Sequence, residues 1–475
     1  MSLRTQTLQG TLWTTVSAAT RAVIQILRLA ILTRFLEKSD FGLVAIVVLV
    51  VGFAHIFTDL GVSSSLFSTQ DISQKVYSSL YWVGMLLSVV CYLVLLFVTP
   101  FVSHFYHLPE LNQLIPVMGI ELMLATMGRQ FRVFREKALE FKALAIIDIT
   151  SLLSSLIVAY VLAVWGAGIY SLIISALFTS LVAGILLIIT GYRKHPLTFC
   201  INIKEGRSFY RIGFYQTGSQ MLDYLASQMD ILLIGKLLSV SDLGVYNLIK
   251  QLVLKMAVMV NPIITGVAIP VLAKFQDDLK TLKEKYLQMH HAVSFINFGI
   301  YGLLALIGSE VLYFVYGPSY AASAGTLQLL CIWGVFTSIA STVTTLIIIR
   351  GRTDLGFINT ALRVLVNPVF VFVGARYGII GIVLSQAVFA MLFFGLNWLV
   401  VVRRILSSLA FRQYLHGVLP FLGFALVAFG GLYFLKITYG GLPQSIWICL
   451  GLWIPAFGLL YGLMSRKIFL RFVYA

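Results

Sequence analysis

Long apolar runs recur from one end of this 475-residue chain to the other. A helix needs about 20 mostly apolar residues to cross the hydrocarbon core of a bilayer. Turn-forming segments such as EKSDFG, VYGPSY and YGGLP separate the runs. Hydrophobic residues make up 59% of the chain and charged residues 11%, whereas soluble domains carry about 25% charged residues. The sequence therefore predicts an all-α integral membrane protein with about 14 transmembrane helices.

The predicted spans are 9–35, 41–67, 77–103, 111–131, 143–165, 168–191, 208–236, 243–271, 288–315, 324–349, 355–375, 378–402, 414–435 and 443–464. With the N-terminus in the cytosol, 24 of the 34 Lys and Arg residues lie on the cytosolic side, five lie outside and five lie within spans. The positive-inside rule therefore favours a cytosolic N-terminus, and an even number of spans returns the C-terminus to the same side. This topology and anionic lipid headgroups account for the net charge of +16, so no nucleic-acid partner is predicted.

The residues that usually build catalytic or metal centres are scattered. The four cysteines stand singly, without CxxC spacing, so neither a zinc site nor a disulfide framework is indicated. The chain also has no P-loop, HExxH motif or nucleophile–base pair, and the outside loops are too short for a catalytic domain. The sequence predicts a protein that is not an enzyme and uses no metal or cofactor.

An internal repeat relates the two halves of the chain at an offset of 202 residues. RFLEKSDFG (34–42) aligns with KLLSVSDLG (236–244), and each follows the first span of a six-span block. Six is even, so both blocks insert in the same direction, which predicts two pseudo-symmetric lobes related by an axis along the membrane normal. The predicted divisions are an N-lobe at 1–191, a cytosolic linker at 192–207, a C-lobe at 208–406, and spans 13–14 with the cytosolic C-terminus at 407–475.

Two arginines lie inside the first span. Arg21 and Arg28 are seven residues apart and share one helix face, about 10 Å apart along the axis. A guanidinium is costly in hydrocarbon, so this face should look into the protein or a watery cavity. The repeat offset places Asp223 and Asp230 at the equivalent positions of span 7. Two interpretations follow: the arginines bind acidic groups of a substrate, or they pair permanently with these aspartates.

Other charged residues within the spans also have alternative roles. Lys250 and Lys255 are five residues apart, so only one is expected to face a cavity. Arg363 either lines the cavity or binds the carbonyls that Pro368 leaves without a donor. Asp59 lies four residues after His55, and the two form either a proton-sensitive pair or an ordinary polar contact. Segments 131–144 and 272–289 are amphipathic and are predicted to form separate helices on the cytosolic surface.

Several motifs along the chain together resemble one transporter family. They are MSLRTQTLQGTLW at the N-terminus, SDFG after span 1, DLGVSSSLF in span 2, QFRVFREKALEF after span 4 and NPIITGVAIPVLAKFQDD leaving span 8. The chain resembles the lipid-linked oligosaccharide flippases of the multidrug/oligosaccharidyl-lipid/polysaccharide exporter superfamily. Within them it is most similar to the colanic-acid-exporter type of polysaccharide translocase.

This resemblance implies two six-helix lobes around a central cavity, plus two extra C-terminal helices. It implies alternating-access transport of an undecaprenyl-diphosphate-linked oligosaccharide repeat unit to the outer leaflet of the bacterial inner membrane, for exopolysaccharide or O-antigen assembly. Related flippases bind the diphosphate with cavity arginines. The expected substrate-binding residues are Arg21, Arg28, Lys250, Lys255 and Arg363. The expected gating or ion-coupling residues are Asp59, Asp223 and Asp230.

The resemblance also implies partners: the lipid-linked glycan, membrane lipids, a coupling cation (Na+ or H+) and a glycan polymerase complex. The main alternative is a cation-coupled multidrug antiporter of the same superfamily. A third alternative is an integral membrane glycan polymerase, ligase or acyltransferase, which should have a large outside loop or a catalytic His/Asp motif.

Overall fold

The structure is a computed structural model that describes residues 3–59, 63, 66, 73–199, 207–438 and 446–474. Within these ranges every regular element is a helix and no β-strand occurs. The long helices, in chain order, are α1 Leu3–Leu32, α2 Lys38–Asp59, α3 Gln74–Tyr106, α4 Leu111–Lys137, α5 Phe141–Val164, α6 Tyr170–Tyr192, α7 Arg207–Leu237, α8 Val240–Ala273, α9 Leu279–Leu306, α10 Ala324–Ile349, α11 Thr353–Ala375, α12 Gly378–Ile405, α13 Phe411–Lys436 and α14 Ile446–Tyr474.

These helices overlap the predicted spans, although α9 begins and ends nine residues before the predicted 288–315. The all-α membrane fold is confirmed. Over the described residues, eleven helices are long and apolar enough to cross a bilayer: α2 to α6 and α8 to α13. Within α14, Gly451–Ser465 is a shorter apolar helix. The total of fourteen spans stays a prediction.

Local sequence explains where several helices begin and end. Gly166 and Gly168, between α5 and α6, have φ values of 76° and 54°, a region that glycine enters without a Cβ penalty. Asp278 caps α9 by accepting hydrogen bonds from the backbone N–H groups of Lys280 and Thr281. A hydrogen bond from the Thr281 hydroxyl, together with these backbone bonds, holds the pKa of Asp278 below its ordinary value.

The two predicted surface helices are wrong as separate elements. Residues 131–144 belong to the end of α4 and the start of α5, and residues 272–289 belong to the end of α8 and the start of α9. Their apolar residues pack inside the bundle, because Phe131 and Leu144 share a buried cluster with Tyr81. The amphipathic pattern of these segments therefore belongs to the ends of long helices that pack inside the bundle.

The chain divides into two compact units, Met1–Asn247 and Leu248–Ala475. In the first unit, α1 packs against α5, α5 and α4 pack against α6, and α2 packs against both α3 and α7. In the second unit, α9 packs against α10, α13 and α14, while α12 packs against α10 and α11. The lobe boundaries at residues 191 and 208, which were inferred from the internal repeat, stay a prediction.

The repeated SDFG and SDLG motifs contact each other within the first unit. The offset of 202 residues relates Gly42 of α2 to Gly244 of α8, and Lys38 to Val240. A Cβ on Gly42 would overlap the carbonyl oxygen of Val240, and a Cβ on Gly244 would overlap the carbonyl oxygen of Lys38. The contact is therefore reciprocal under the repeat, and each glycine allows the other helix to approach its backbone. We call this the glycine contact.

Candidate functional site

Both arginines of α1 contact α5. Arg21 Nη1 lies 3.0 Å from Asp148 Oδ2, and Arg28 Nη1 lies 3.5 Å from Ser155 Oγ. Each contact joins residues 127 positions apart, so the two helices run in parallel and present matching heptads to each other. Seven helical residues rise about 10 Å. The predicted interior orientation of this helix face agrees with these contacts.

Asp148 binds a second arginine from α4. Its Oδ1 accepts a short hydrogen bond from Arg132 Nη2, and its Oδ2 lies 3.4 Å from Arg132 Nη1. Two guanidinium groups therefore share one carboxylate. The Asp148 side chain is 11% exposed, whereas those of Arg21 and Arg132 are 41% and 32% exposed. The carboxylate is enclosed while both arginines keep open donors.

Arg28 has few acceptors around it. Its Nε is buried and has no hydrogen-bond partner among the residues that the structure describes. Ser155, its neighbour, donates its own hydroxyl to the Ser175 carbonyl of α6 at 2.6 Å. A guanidinium has five N–H donors, so this side chain can bind a further acceptor such as a phosphate oxygen.

Asp59 forms part of a second charged cluster, between α2 and α4. Arg129 Nη1 lies 3.6 Å from Asp59 Oδ1, and Arg129 Nη2 contacts Thr58 Oγ1 at 2.9 Å and His55 Nε2 at 3.2 Å. Since a guanidinium only donates hydrogen bonds, His55 Nε2 is the acceptor in this contact. Ser63 Oγ also donates to Asp59 at 2.6 Å. A small cavity lies beside Arg129. Four residues of this cluster line it, together with Leu80, Tyr81, Gly84, Thr126 and Gln130.

The acids of α7 differ from each other in their surroundings. Asp230 is 3% exposed and accepts a short hydrogen bond from the Tyr246 hydroxyl and one from the Ile231 N–H at 2.9 Å. Asp223 is exposed. The interpretation that pairs Arg21 with Asp223 is wrong for this structure, since the ion pair of Arg21 is with Asp148. Arg28 contacts Ser155 rather than Asp230.

Three predicted site residues lie in the second unit. Lys250 is 4% exposed, and its Nζ lies 5.8 Å from the centroid of the Trp333 ring, within cation–π range. Lys255 and Arg363 are both half-buried. Asn367, one turn after Arg363, accepts a hydrogen bond from Gln386 at 2.6 Å. The substrate-binding role of these three basic residues stays a prediction.

Sequence reasoning missed Arg129 and Arg132. Both lie near the predicted cytosolic end of span 4, where basic residues were attributed to topology. A signal for the α1–α5 pairing was present, because Asp148 and Ser155 repeat the seven-residue spacing of Arg21 and Arg28. Within the described ranges, no group of three or more His, Cys, Asp or Glu residues could hold a metal ion.

Two of the similar proteins are named for the biosynthesis of a polysaccharide. The lipopolysaccharide biosynthesis protein WzxC of Escherichia coli is 25% identical over 423 residues, which cover 89% of this chain and 86% of that protein. An uncharacterized membrane protein in the cps region of Klebsiella pneumoniae is 28% identical over 401 residues, covering 82% of each chain. The teichuronic acid biosynthesis protein TuaB of Bacillus subtilis is 26% identical, covering 75% of this chain and 74% of that protein.

Solved structures with the same fold are transporters. The lipid II flippase MurJ, in an inward closed conformation, matches with a TM-score of 0.76 and 14% identity, covering 96% of this chain and 99% of MurJ. An inward-facing multidrug resistance transporter of the MATE family matches with a TM-score of 0.61 and 15% identity, covering 82% of this chain and 95% of that one. These likenesses establish the two-lobe transporter fold.

A family model described as polysaccharide biosynthesis protein matches residues 31–325, more than half of the chain. The predicted resemblance to polysaccharide exporters of this superfamily is confirmed by this match together with the named relatives. The chain therefore belongs to the family of polysaccharide biosynthesis proteins.

Proposed function

We propose that this protein is a flippase for an undecaprenyl-diphosphate-linked oligosaccharide. It moves the repeat unit from the cytosolic to the outer leaflet of a bacterial inner membrane by alternating access, for exopolysaccharide or O-antigen assembly. Its family membership, its polysaccharide-assembly relatives and its MurJ-like fold support this proposal. The polyprenyl tail stays in the bilayer while the polar head crosses through the protein.

The row of arginines along α1 is the observation that most supports a diphosphate-linked substrate. Arg21 and Arg28 are held about 10 Å apart along one helix face, and both keep donors for an added anion. Guanidinium groups bind phosphate oxygens in a bidentate manner, with charge-assisted hydrogen bonds. An anionic headgroup that enters beside α1 would therefore find two successive binding positions along the helix.

The proposed orientation places both termini in the cytosol. The glycine contact between α2 and α8 then lies toward the outer surface, at the helix ends that carry the repeated motifs. Closure there restricts access from outside, which suits the loading of a cytosolic substrate. Asp59, Asp223 and Asp230 are proposed as gating or ion-coupling residues, with Na+ or H+ as the coupling cation. Membrane lipids and a glycan polymerase are the further proposed partners, and the activity is transport without catalysis.

A multidrug antiporter would need acidic groups for organic cations. Two intramembrane acids of the first unit are already paired with arginines, because Asp59 contacts Arg129 and Asp148 contacts both Arg21 and Arg132. An organic cation would have to displace a guanidinium at either position. At these two positions the arrangement favours an anionic substrate over a cationic one.

Deletion of the gene tests the proposal. The deletion strain should accumulate an undecaprenyl-linked oligosaccharide on the cytosolic leaflet, and a plasmid copy of the wild-type gene should remove it. Mass spectrometry of extracted lipids identifies the glycan, and a membrane-impermeant glycan probe applied to spheroplasts reports its leaflet. A deletion strain with unchanged lipid-linked glycans but lower resistance to cationic drugs would favour the antiporter instead.

A further inference from the structure

Asp148 holds two arginines in unequal ways. Arg132 reaches both carboxylate oxygens through two of its nitrogens, whereas Arg21 contacts only Oδ2. Arg132 also interacts electrostatically with Glu136, which lies four residues further along α4. Arg132 is therefore placed between two acids, while the described ion pairs give Arg21 only one acidic partner.

The two arginines differ in what their departure would cost. A buried carboxylate that loses its only cation is left uncompensated, which is strongly unfavourable. The Asp148 side chain is only 11% exposed, so it would carry this cost if it lost both arginines. If Arg21 leaves, Arg132 still neutralises Asp148 through a two-point contact. If Arg132 were absent, Asp148 would depend on Arg21 alone, and Arg21 would be held in place.

We propose that Arg132 is a positioning residue that allows Arg21 to exchange from Asp148 to an anionic diphosphate headgroup. This inference rests on the proposed function. In the ligand-free protein Asp148 retains the 41% exposed Arg21 side chain, and this ion pair must open before the guanidinium can bind a phosphate oxygen. On binding, Arg21 moves to the phosphate and Asp148 keeps its ion pair with Arg132. Arg132 itself makes no contact with the substrate.

The effect of Arg132→Gln on substrate affinity should depend on whether Asp148 is present. With Arg132→Gln, release of Arg21 leaves Asp148 unpaired, so the affinity for a diphosphate lipid should fall by about tenfold or more, the equivalent of one charge-assisted hydrogen bond. With Asp148→Asn, Arg21 is no longer retained, so the affinity should equal or exceed that of the wild type. With both substitutions, the loss caused by Arg132→Gln should disappear.

The experiment uses the full-length protein in lipid nanodiscs, with undecaprenyl diphosphate as the probe and its equilibrium binding as the readout. Arg135→Gln is the matched control, because Arg135 lies on the same helix and pairs with Glu140 rather than Asp148. It removes the same charge and should leave the affinity unchanged. Arg132→Lys keeps a cation beside Asp148 and should bind within about threefold of the wild type; it also provides a test if Arg132→Gln does not fold.

Each outcome bears on the inference. An equal loss from Arg132→Gln in the wild-type and Asp148→Asn backgrounds would mean that Arg132 contacts the phosphate directly, and the exchange would be rejected. No loss in the wild-type background, or a loss in Arg132→Lys as large as in Arg132→Gln, would also reject it. If the wild type does not bind undecaprenyl diphosphate at all, the proposed function fails together with the inference.

Discussion

The glycine contact should respond to the addition of a single methyl group. In Gly42→Ala, the new Cβ would overlap the Val240 carbonyl oxygen and lie 2.7 Å from Val240 Cγ1. The carbonyl belongs to the backbone of α8 and cannot rotate away alone, so the ends of α2 and α8 must separate. We expect Gly42→Ala to shift the protein toward conformations in which these ends are apart.

The size of the shift follows from the overlap. Ordinary contact begins at 3.4 Å, so relief of the Val240 Cγ1 contact alone requires a movement of 3.4 − 2.7 = 0.7 Å. Overpacking of this kind costs about 1–3 kcal/mol. If the cost applies only to conformations with the ends together, the equilibrium between closed and open ends changes by about 5- to 150-fold. Gly244→Ala should act in the same way, because it would meet the Lys38 carbonyl oxygen.

Distances between spin labels measure this shift directly. Phe35 and Leu237 are related by the repeat and are both exposed, at 49% and 38%. With the native cysteines replaced by serine, labels at these two positions should show a longer distance component in Gly42→Ala. Gly430→Ala is the control, because a Cβ there meets no atom within 4 Å. It should leave the distribution unchanged.

The double variant, Gly42→Ala with Gly244→Ala, tests whether the two glycines act at one contact. Once one alanine has separated the ends, the second has little left to displace, so the double variant should resemble either single variant. Unchanged distances in folded Gly42→Ala protein would refute the reasoning. Two fully additive shifts would show that the glycines act at independent contacts.

Three further outcomes are expected elsewhere in the chain. Lys436 Nζ lies 2.7 Å from Glu310 Oε1, with side-chain exposures of 20% and 12%. Lys436→Met should therefore cost about 3 kcal/mol and lower the Tm in detergent, and adding Glu310→Gln should recover part of the loss, since it removes the unpaired carboxylate. His195 stacks on Phe134 with ring centroids 4.2 Å apart, and burial and then Lys194 lower its pKa below 6.5. Hydrogen bonds from Tyr77 and Trp82 of α3 to the carbonyls of Pro196 and Thr198 also dock residues 193–199. Because the pKa of His195 is lowered, this docking is fully stabilised above pH 6.5 and weakens as the pH falls through the lowered value. Hydrogen exchange there, corrected for intrinsic rates, should accelerate between pH 7.5 and 5.5, and His195→Phe should abolish this pH dependence. Reporter fusions after residues 107 and 200 should lie on opposite sides of the membrane; the same side for both would contradict the topology.

The helices were largely predictable from the sequence. Apolar length and turn chemistry act locally, so runs such as GAG between α5 and α6 indicate a boundary without knowledge of the fold. The two amphipathic segments were wrongly predicted to be surface helices. The same spacing of apolar and polar residues occurs in a surface helix and in the packed end of a long helix. Phe131 is an example, because it lies within α4 and its side chain packs in a buried cluster.

The site was predictable only in part. The cost of burying a guanidinium identifies Arg21 and Arg28 as inward-facing from sequence alone. Their partners depend on which helices pack together, and the repeat relates equivalent positions rather than neighbours in space. The offset therefore selected Asp223, whereas the packing of α1 on α5 selects Asp148. Arg132 was attributed to the cytosolic loop because the predicted end of span 4, at residue 131, fell six residues before Lys137, where α4 ends.

Translocation in a purified system tests the central claim most directly. The full-length protein is reconstituted into vesicles that carry the undecaprenyl-linked oligosaccharide extracted from the deletion strain. A membrane-impermeant glycosidase added outside then reports how fast glycan from the inner leaflet becomes accessible. Wild-type protein should expose it faster than protein-free vesicles do, and Arg28→Gln, reconstituted at equal density, should not. Equal rates for wild-type and protein-free vesicles would contradict the flippase, and a wild-type rate for Arg28→Gln would contradict the role of α1.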